Sequence, residues 1–223
     1  MADGPVAEAT PPTRPVSDAW PLRGLVAGAI LGIPLGILLA FVGAIPYQLG
    51  LFFYLVLGLL IGAVMFRACR SAAPIALNRL QPIGLAVAAI VWLSSLTTEY
   101  RTFPREAAEE TIKQSLLADA SEEEVAALRE RAHAEPFEKL RQQYPPGGLL
   151  GYMRWAATSG RMELTRHGAE PYTYTLRGQK RFSWVFRTVV SFILLAFAIN
   201  SQFTGLAPQP AQGEPQPDSN SNS

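Results

Sequence analysis

The chain has 223 residues; 49% are apolar or aromatic and only 17% are charged, against the roughly 25% of a typical soluble domain. Nineteen basic residues nearly cancel 18 acidic ones, which leaves no excess positive charge to attract a nucleic acid, and no nucleic-acid partner is expected. The single cysteine, Cys69, excludes an internal disulfide framework and any multi-cysteine metal centre.

Residues 1–20 carry Pro5, Pro11, Pro12 and Pro15 without apolar periodicity, so a disordered tail is expected there. Beyond Arg23, the 43 residues from Gly24 to Phe66 contain no Asp, Glu, Lys, Arg or His. As one helix this run would extend about 64 Å, twice the roughly 30 Å of bilayer hydrocarbon, so it must fold back. The break falls at Ile45-Pro46-Tyr47-Gln48-Leu49-Gly50 and predicts two spans, about Leu22–Ala44 and Leu51–Phe66. The apolar run is too long, and begins too late, for a cleavable signal peptide. A third span is expected over Leu80–Thr98, with Arg79 before it and Glu99 closing it. A fourth runs from about Trp184 to Gln202, with Arg187 in its first turn and placed to snorkel toward headgroups. Trp20, Tyr47 and Trp184 sit near the expected interfaces, where amphipathic rings are favoured.

Between spans three and four lies an insert, residues 99–182, with 13 acidic and 13 basic residues. Residues 99–138 hold 11 acids and 5 bases, whereas residues 139–187 hold 2 acids and 9 bases. Ala108, Ile112 and Leu116 predict an amphipathic helix after Pro104. Ser121 with Glu124 forms a capping box that opens a second helix, with Val125, Leu128 and Ala132 inward. Phe137, Leu140 and Tyr144 continue at helical spacing as far as Pro145-Pro146-Gly147-Gly148. Leu149, Leu150, Met153, Ala156 and Ala157 mark a short helix that Gly160 ends. The period then becomes two: Met162 and Leu164, then Tyr172, Tyr174 and Leu176, predict a β-hairpin around His167–Pro171. The Pro/Gln/Ser-rich residues 204–223 are expected to be a second disordered tail. The fold class is therefore mainly α. It is a four-span transmembrane helical bundle (residues 21–98 and 183–203) with a helical insert and a small β-hairpin between spans three and four.

The stretch Gly58-Leu59-Leu60-Ile61-Gly62-Ala63-Val64-Met65-Phe66-Arg67 ends the second span ahead of a small basic loop. Gly151-Tyr152-Met153-Arg154-Trp155-Ala156-Ala157-Thr158-Ser159-Gly160 then precedes a hairpin and a final span led by Phe182-Ser183-Trp184. With these features the chain resembles small, uncharacterised bacterial inner-membrane proteins of four predicted spans. The resemblance implies a multi-pass location in the bacterial inner membrane and carries no activity with it.

Gly28, Gly32, Gly36, Ala40 and Ala44 form a ridge of small residues along the first span, and Gly58 and Gly62 a shorter one on the second. Small residues let helix backbones approach closely in lipid, where no hydrophobic force draws helices together. Packing of spans one and two on each other is the first expectation. Self-association, or docking of another membrane protein through the ridge, is the alternative. Arg67, Arg70 and Arg79 in the loop, and Arg177, Lys180, Arg181 and Arg187 before and within span four, are the expected headgroup contacts. Pro34 predicts a kink in the first span.

Catalysis or transport should leave ionisable groups inside the spans, and the first three have none. Ser94 and Ser95 lack a nearby His or Lys in sequence and are read as hydrogen-bonding backbone near a helix end. His133 and His167 lack metal-ligand spacing, and Glu122–Glu124 suit a helix N-terminus. No cofactor, metal or enzymatic activity is expected. A structural or interaction component of a membrane assembly is the leading reading; a small oligomeric transporter or channel subunit is the other. The loop arginines favour an N-terminus in the cytoplasm and the insert outside; Arg177, Lys180, Arg181 and Arg187 before span four argue the reverse, so an inverted chain and a third span that re-enters without crossing stand as alternatives.

Overall fold

The structure, a computed structural model, describes residues 19–42, 47–114, 121–166, 169–176 and 181–207. Both proline-rich tails (residues 1–18 and 208–223), Ala44 of the ridge, Leu116, His167, Arg177 and Lys180 lie outside the described residues. Six helices and a two-stranded antiparallel hairpin follow in the order α1 (Trp20–Val42), α2 (Tyr47–Cys69), α3 (Leu77–Gln114), α4 (Glu122–Gln143), α5 (Gly148–Thr158), β1 (Arg161–Arg166), β2 (Ala169–Thr175), α6 (Arg181–Ser201). Four stretches, Trp20–Phe41, Gly50–Cys69, Leu77–Lys113 and Trp184–Leu206, are long and apolar enough to cross a membrane.

The four spans make a bundle with an outward apolar skin. Leu22, Ile30, Phe41, Phe52, Leu60 and Phe197 point away from the protein, as a lipid-facing surface requires. Inside, Leu39, Ile61, Met65, Leu80, Val87, Val91, Leu195 and Ile199 form one core. The glycine ridges set how the helices approach. A Cβ on Gly28 would lie 2.8 Å from Val87, one on Gly32 2.5 Å from Val91, and one on Gly36 2.5 Å from the Val91 carbonyl oxygen. The α1 ridge therefore receives α3 as its main neighbour, not α2 as the sequence led us to expect. Ala40 is buried at the far end of the same face. Gly58 and Gly62 receive α6, through Ala198, Leu195 and Ile199. Local spacing marks a face as small; which helix fills it is decided by tertiary packing.

Two boundaries differ from the sequence reading. Pro104 does not separate a third span from a helix in the insert: α3 runs unbroken for 38 residues with Pro82 and Pro104 inside it. At 1.5 Å per residue that is about 57 Å, so α3 crosses the apolar layer and projects far beyond it. Packing overrides the missing proline N–H, since Phe103, Ala107 and Ala108 are all fully buried around Pro104. At the other end, residues 202–206 form a 3-10 turn that buries Phe203 and Leu206 on the bundle. The Ile75 N–H donates to the Leu206 carbonyl at 2.9 Å, so the chain stays ordered past residue 204.

The projecting half of α3 is the spine of a second core, made by Leu96, Phe103, Ala107, Leu140, Tyr152, Trp155, Met162, Leu164, Tyr174 and Trp184. Phe103 sits among the rings of Phe137, Tyr152, Trp155 and Tyr174. The capping box at Ser121 and Glu124 opens α4 with both reciprocal bonds made. The hairpin pairs Met162 with Tyr174 and Leu164 with Tyr172, which puts those four side chains on one face. The buried face of α5 is Gly151, Tyr152, Trp155 and Ala156, whereas Leu150 is 62% exposed. Leu149, Met153 and Ala157 pack against this core as well, so of the apolar positions marked in the sequence only Leu150 turns outward. Glu135 of α4 accepts from the Thr165 N–H at 3.1 Å, and Lys139 pairs with Glu135 and donates to the Glu163 carbonyl. These bonds fasten α4 to the open edge of β1.

Candidate functional site

The two cores meet where α3 and α6 leave the apolar layer, and the buried polar groups of the spans concentrate at that seam. Glu99 ends the apolar run of α3; Arg187 lies nearly two turns into α6. Both helices bring these side chains to the contact between them, and Arg187 Nη2 donates to Glu99 Oε1 at 2.7 Å. The Glu99 side chain is only 5% exposed and that of Arg187 12%. Trp184, one turn before Arg187, donates its indole N–H to the same oxygen at 3.4 Å. Arg187 was expected to snorkel to the headgroups; instead it turns inward. The buried carboxylate offers a short charge-assisted bond that water-exposed headgroups would have to match.

Around the pair, α3 and α6 are tied by an uncharged bond as well, and α6 folds its own hydroxyls onto its own carbonyls. Trp92 Nε1 donates to the Thr188 carbonyl at 3.0 Å. Ser191 Oγ donates to that same carbonyl at 2.9 Å, and Thr188 Oγ1 donates to the Trp184 carbonyl at 2.8 Å. From α2, the phenol of Tyr54 faces the hydroxyls of Ser95 and Ser191, with Arg187 and Glu99 close enough to act on it electrostatically. Tyr54, Trp92, Ser95, Leu96, Glu99, Arg187, Thr188 and Ser191 line one small cavity of about 10 Å³. The seam thus joins three spans, with one anion, one cation and four hydroxyl groups packed among apolar side chains. Opposite charges held in contact cancel locally, and an unpaired charge here would face the large cost of removal from water.

The other residues singled out in the sequence lie elsewhere. Gly28, Gly32, Gly36, Gly58 and Gly62 are covered by α3 and α6 within the chain. Arg67, Arg70 and Arg79 are exposed at the end of the bundle opposite the insert. The Arg181 side chain, like Arg177 and Lys180, is outside the described residues. Ser94 donates to the Ile90 carbonyl at 2.8 Å, as read from the sequence; Ser95 differs and belongs to the cavity. Trp20 and Trp184 are buried, and the Cys69 thiol points at the Trp20 carbonyl at 3.9 Å. His133 borders an open groove between α3 and α4 with Arg105, Lys113 and Arg129. Among the described residues, no three His, Cys, Asp or Glu side chains gather as a metal site would need.

Glu99 and Tyr54 were missed as site residues. Glu99 was legible as the acid that closes span three, and Arg187 as the base inside span four. Two opposite charges at the same ends of neighbouring spans were the available signal for a pair. Comparison with protein-family models, curated proteins and solved structures finds no match to the chain, so the resemblance to four-span bacterial proteins rests on the quoted stretches alone.

Proposed function

We propose that the chain is a multi-pass component of a cell membrane, the bacterial inner membrane in particular, with a structural or interaction role. The bundle anchors and orients a folded insert held off the membrane surface, and the insert is the region offered to a partner. The observation that supports this reading is the seam. One unbroken helix carries both cores, and a buried Glu99–Arg187 pair clasps it to the helix that returns from the insert. Such a joint suits transmission of a fixed orientation, because moving the insert relative to the bundle would pull apart a desolvated ion pair.

The exposed Arg67, Arg70 and Arg79 favour a cytoplasmic position for the short loop, which sets the N-terminus inside and the insert outside. The test has two arms. The chain should stay with the membrane fraction through alkaline extraction, and a reporter active only in the periplasm should work when fused at Ser121. Release of the chain into the soluble fraction would defeat the anchoring role. A silent periplasmic reporter, with an active cytoplasmic one at the same site, would invert the orientation and leave the anchoring role standing.

A further inference from the structure

The cavity at the seam has the size and lining of a site for one solvent molecule. Its volume of about 10 Å³ is close to the one-probe minimum of roughly 10–15 Å³ that a buried water needs, and such a water needs two to four polar partners. The lining supplies them. Both donors to Glu99, from Arg187 and Trp184, fall on Oε1, so the four acceptor positions of the carboxylate are half used. Ser191 spends its proton on the Thr188 carbonyl and keeps its lone pairs. Tyr54 and Ser95, 8% and 5% exposed, line the same space with their hydroxyls in contact, which leaves acceptor capacity and one proton between them for a further partner. Three spans thus converge on a volume too small for any larger ligand, around a carboxylate oxygen that still has room for a donor.

We propose that this cavity is a binding site for a single buried water molecule. It donates to Glu99 Oε2 and exchanges hydrogen bonds with the Tyr54 phenol and the Ser95 hydroxyl. The water adds a polar link between α2 and the α3–α6 clasp beside the direct contact of Tyr54 with Ser95 and Ser191. It completes the solvation of Glu99 at a seam where Ser95, Glu99, Thr188 and Ser191 are all buried. The assignment goes beyond the anchoring role and stands or falls separately from it.

The test is an experimental structure of the full chain in lipid or detergent at a resolution that shows ordered water. A density peak within hydrogen-bonding distance of Glu99 Oε2, Tyr54 Oη and Ser95 Oγ is expected. Absence of a peak at that position would overturn the proposal. Ser95→Thr gives an independent readout, because it keeps the hydroxyl and adds one methyl group of about the size of the displaced water. If the cavity is wet, the variant loses the peak and unfolds at a lower temperature than the wild type. An unchanged or raised unfolding temperature would mean that the methyl fills dry space, and the water site would be wrong.

Discussion

Removing one partner of the Glu99–Arg187 pair strands the other in a site that is almost closed to water. Arg187→Leu should therefore cost about 3–5 kcal/mol of stability, and Glu99→Leu a similar amount. The double variant should recover much of the loss, because neither charge is left unmatched. Denaturant unfolding of the four proteins in detergent measures this; strictly additive costs would mean that the two groups do not interact. The glycines make a finer test. An added Cβ at Gly32 meets a methyl of the buried Val91 side chain, which must shift within its one favoured helical rotamer, whereas at Gly36 it meets the Val91 carbonyl, which the helix backbone fixes. Gly36→Ala should thus cost about 1–3 kcal/mol and more than Gly32→Ala. Equal losses in the same unfolding assay would contradict this packing of α1 on α3. Spacing alone made the ridge visible, yet not its partner. The charges were visible too, but their contact joins residues 88 apart in sequence, beyond the reach of any local period.

At the scale of elements, the insert is legible where its signals are chemical and less so where they are only patterned. The capping box at Ser121 and the alternation through Met162, Leu164, Tyr172 and Tyr174 gave α4 and the hairpin directly, because each signal satisfies specific backbone groups or one specific face. On α5 the rings of Tyr152 and Trp155 take the centre of the buried face, and of the apolar residues marked in the sequence only Leu150 lies outside it. That assignment predicts a contrast. Phe103→Ala removes the ring at the centre of the second core and should cost about 3–5 kcal/mol. Leu150→Ala, on the exposed side of α5, should stay within about 0.5 kcal/mol of the wild type. Thermal unfolding followed by tryptophan fluorescence reports on both, because Trp155 lies in that core. A Leu150 effect as large as that of Phe103 would contradict the outward position of Leu150.

At the scale of the whole molecule, the four spans were readable from charge-free length, a solvation requirement that no tertiary detail can hide. Their union with the insert was not, because Pro104 is a helix breaker by rule and is overruled only by the buried residues around it. Helix α3 is one rod from the apolar layer into the insert. Spin labels at Arg79→Cys and Glu109→Cys, both exposed positions on α3, in a Cys69→Ala background, test it by a pulsed electron-spin distance measurement in lipid. About thirty residues of continuous helix place the two backbone sites about 45 Å apart. A single narrow distribution near that distance is the predicted result. A broad distribution, or one centred well below it, would mean that α3 bends or breaks at one of its prolines, Pro82 or Pro104, and is not one continuous rod.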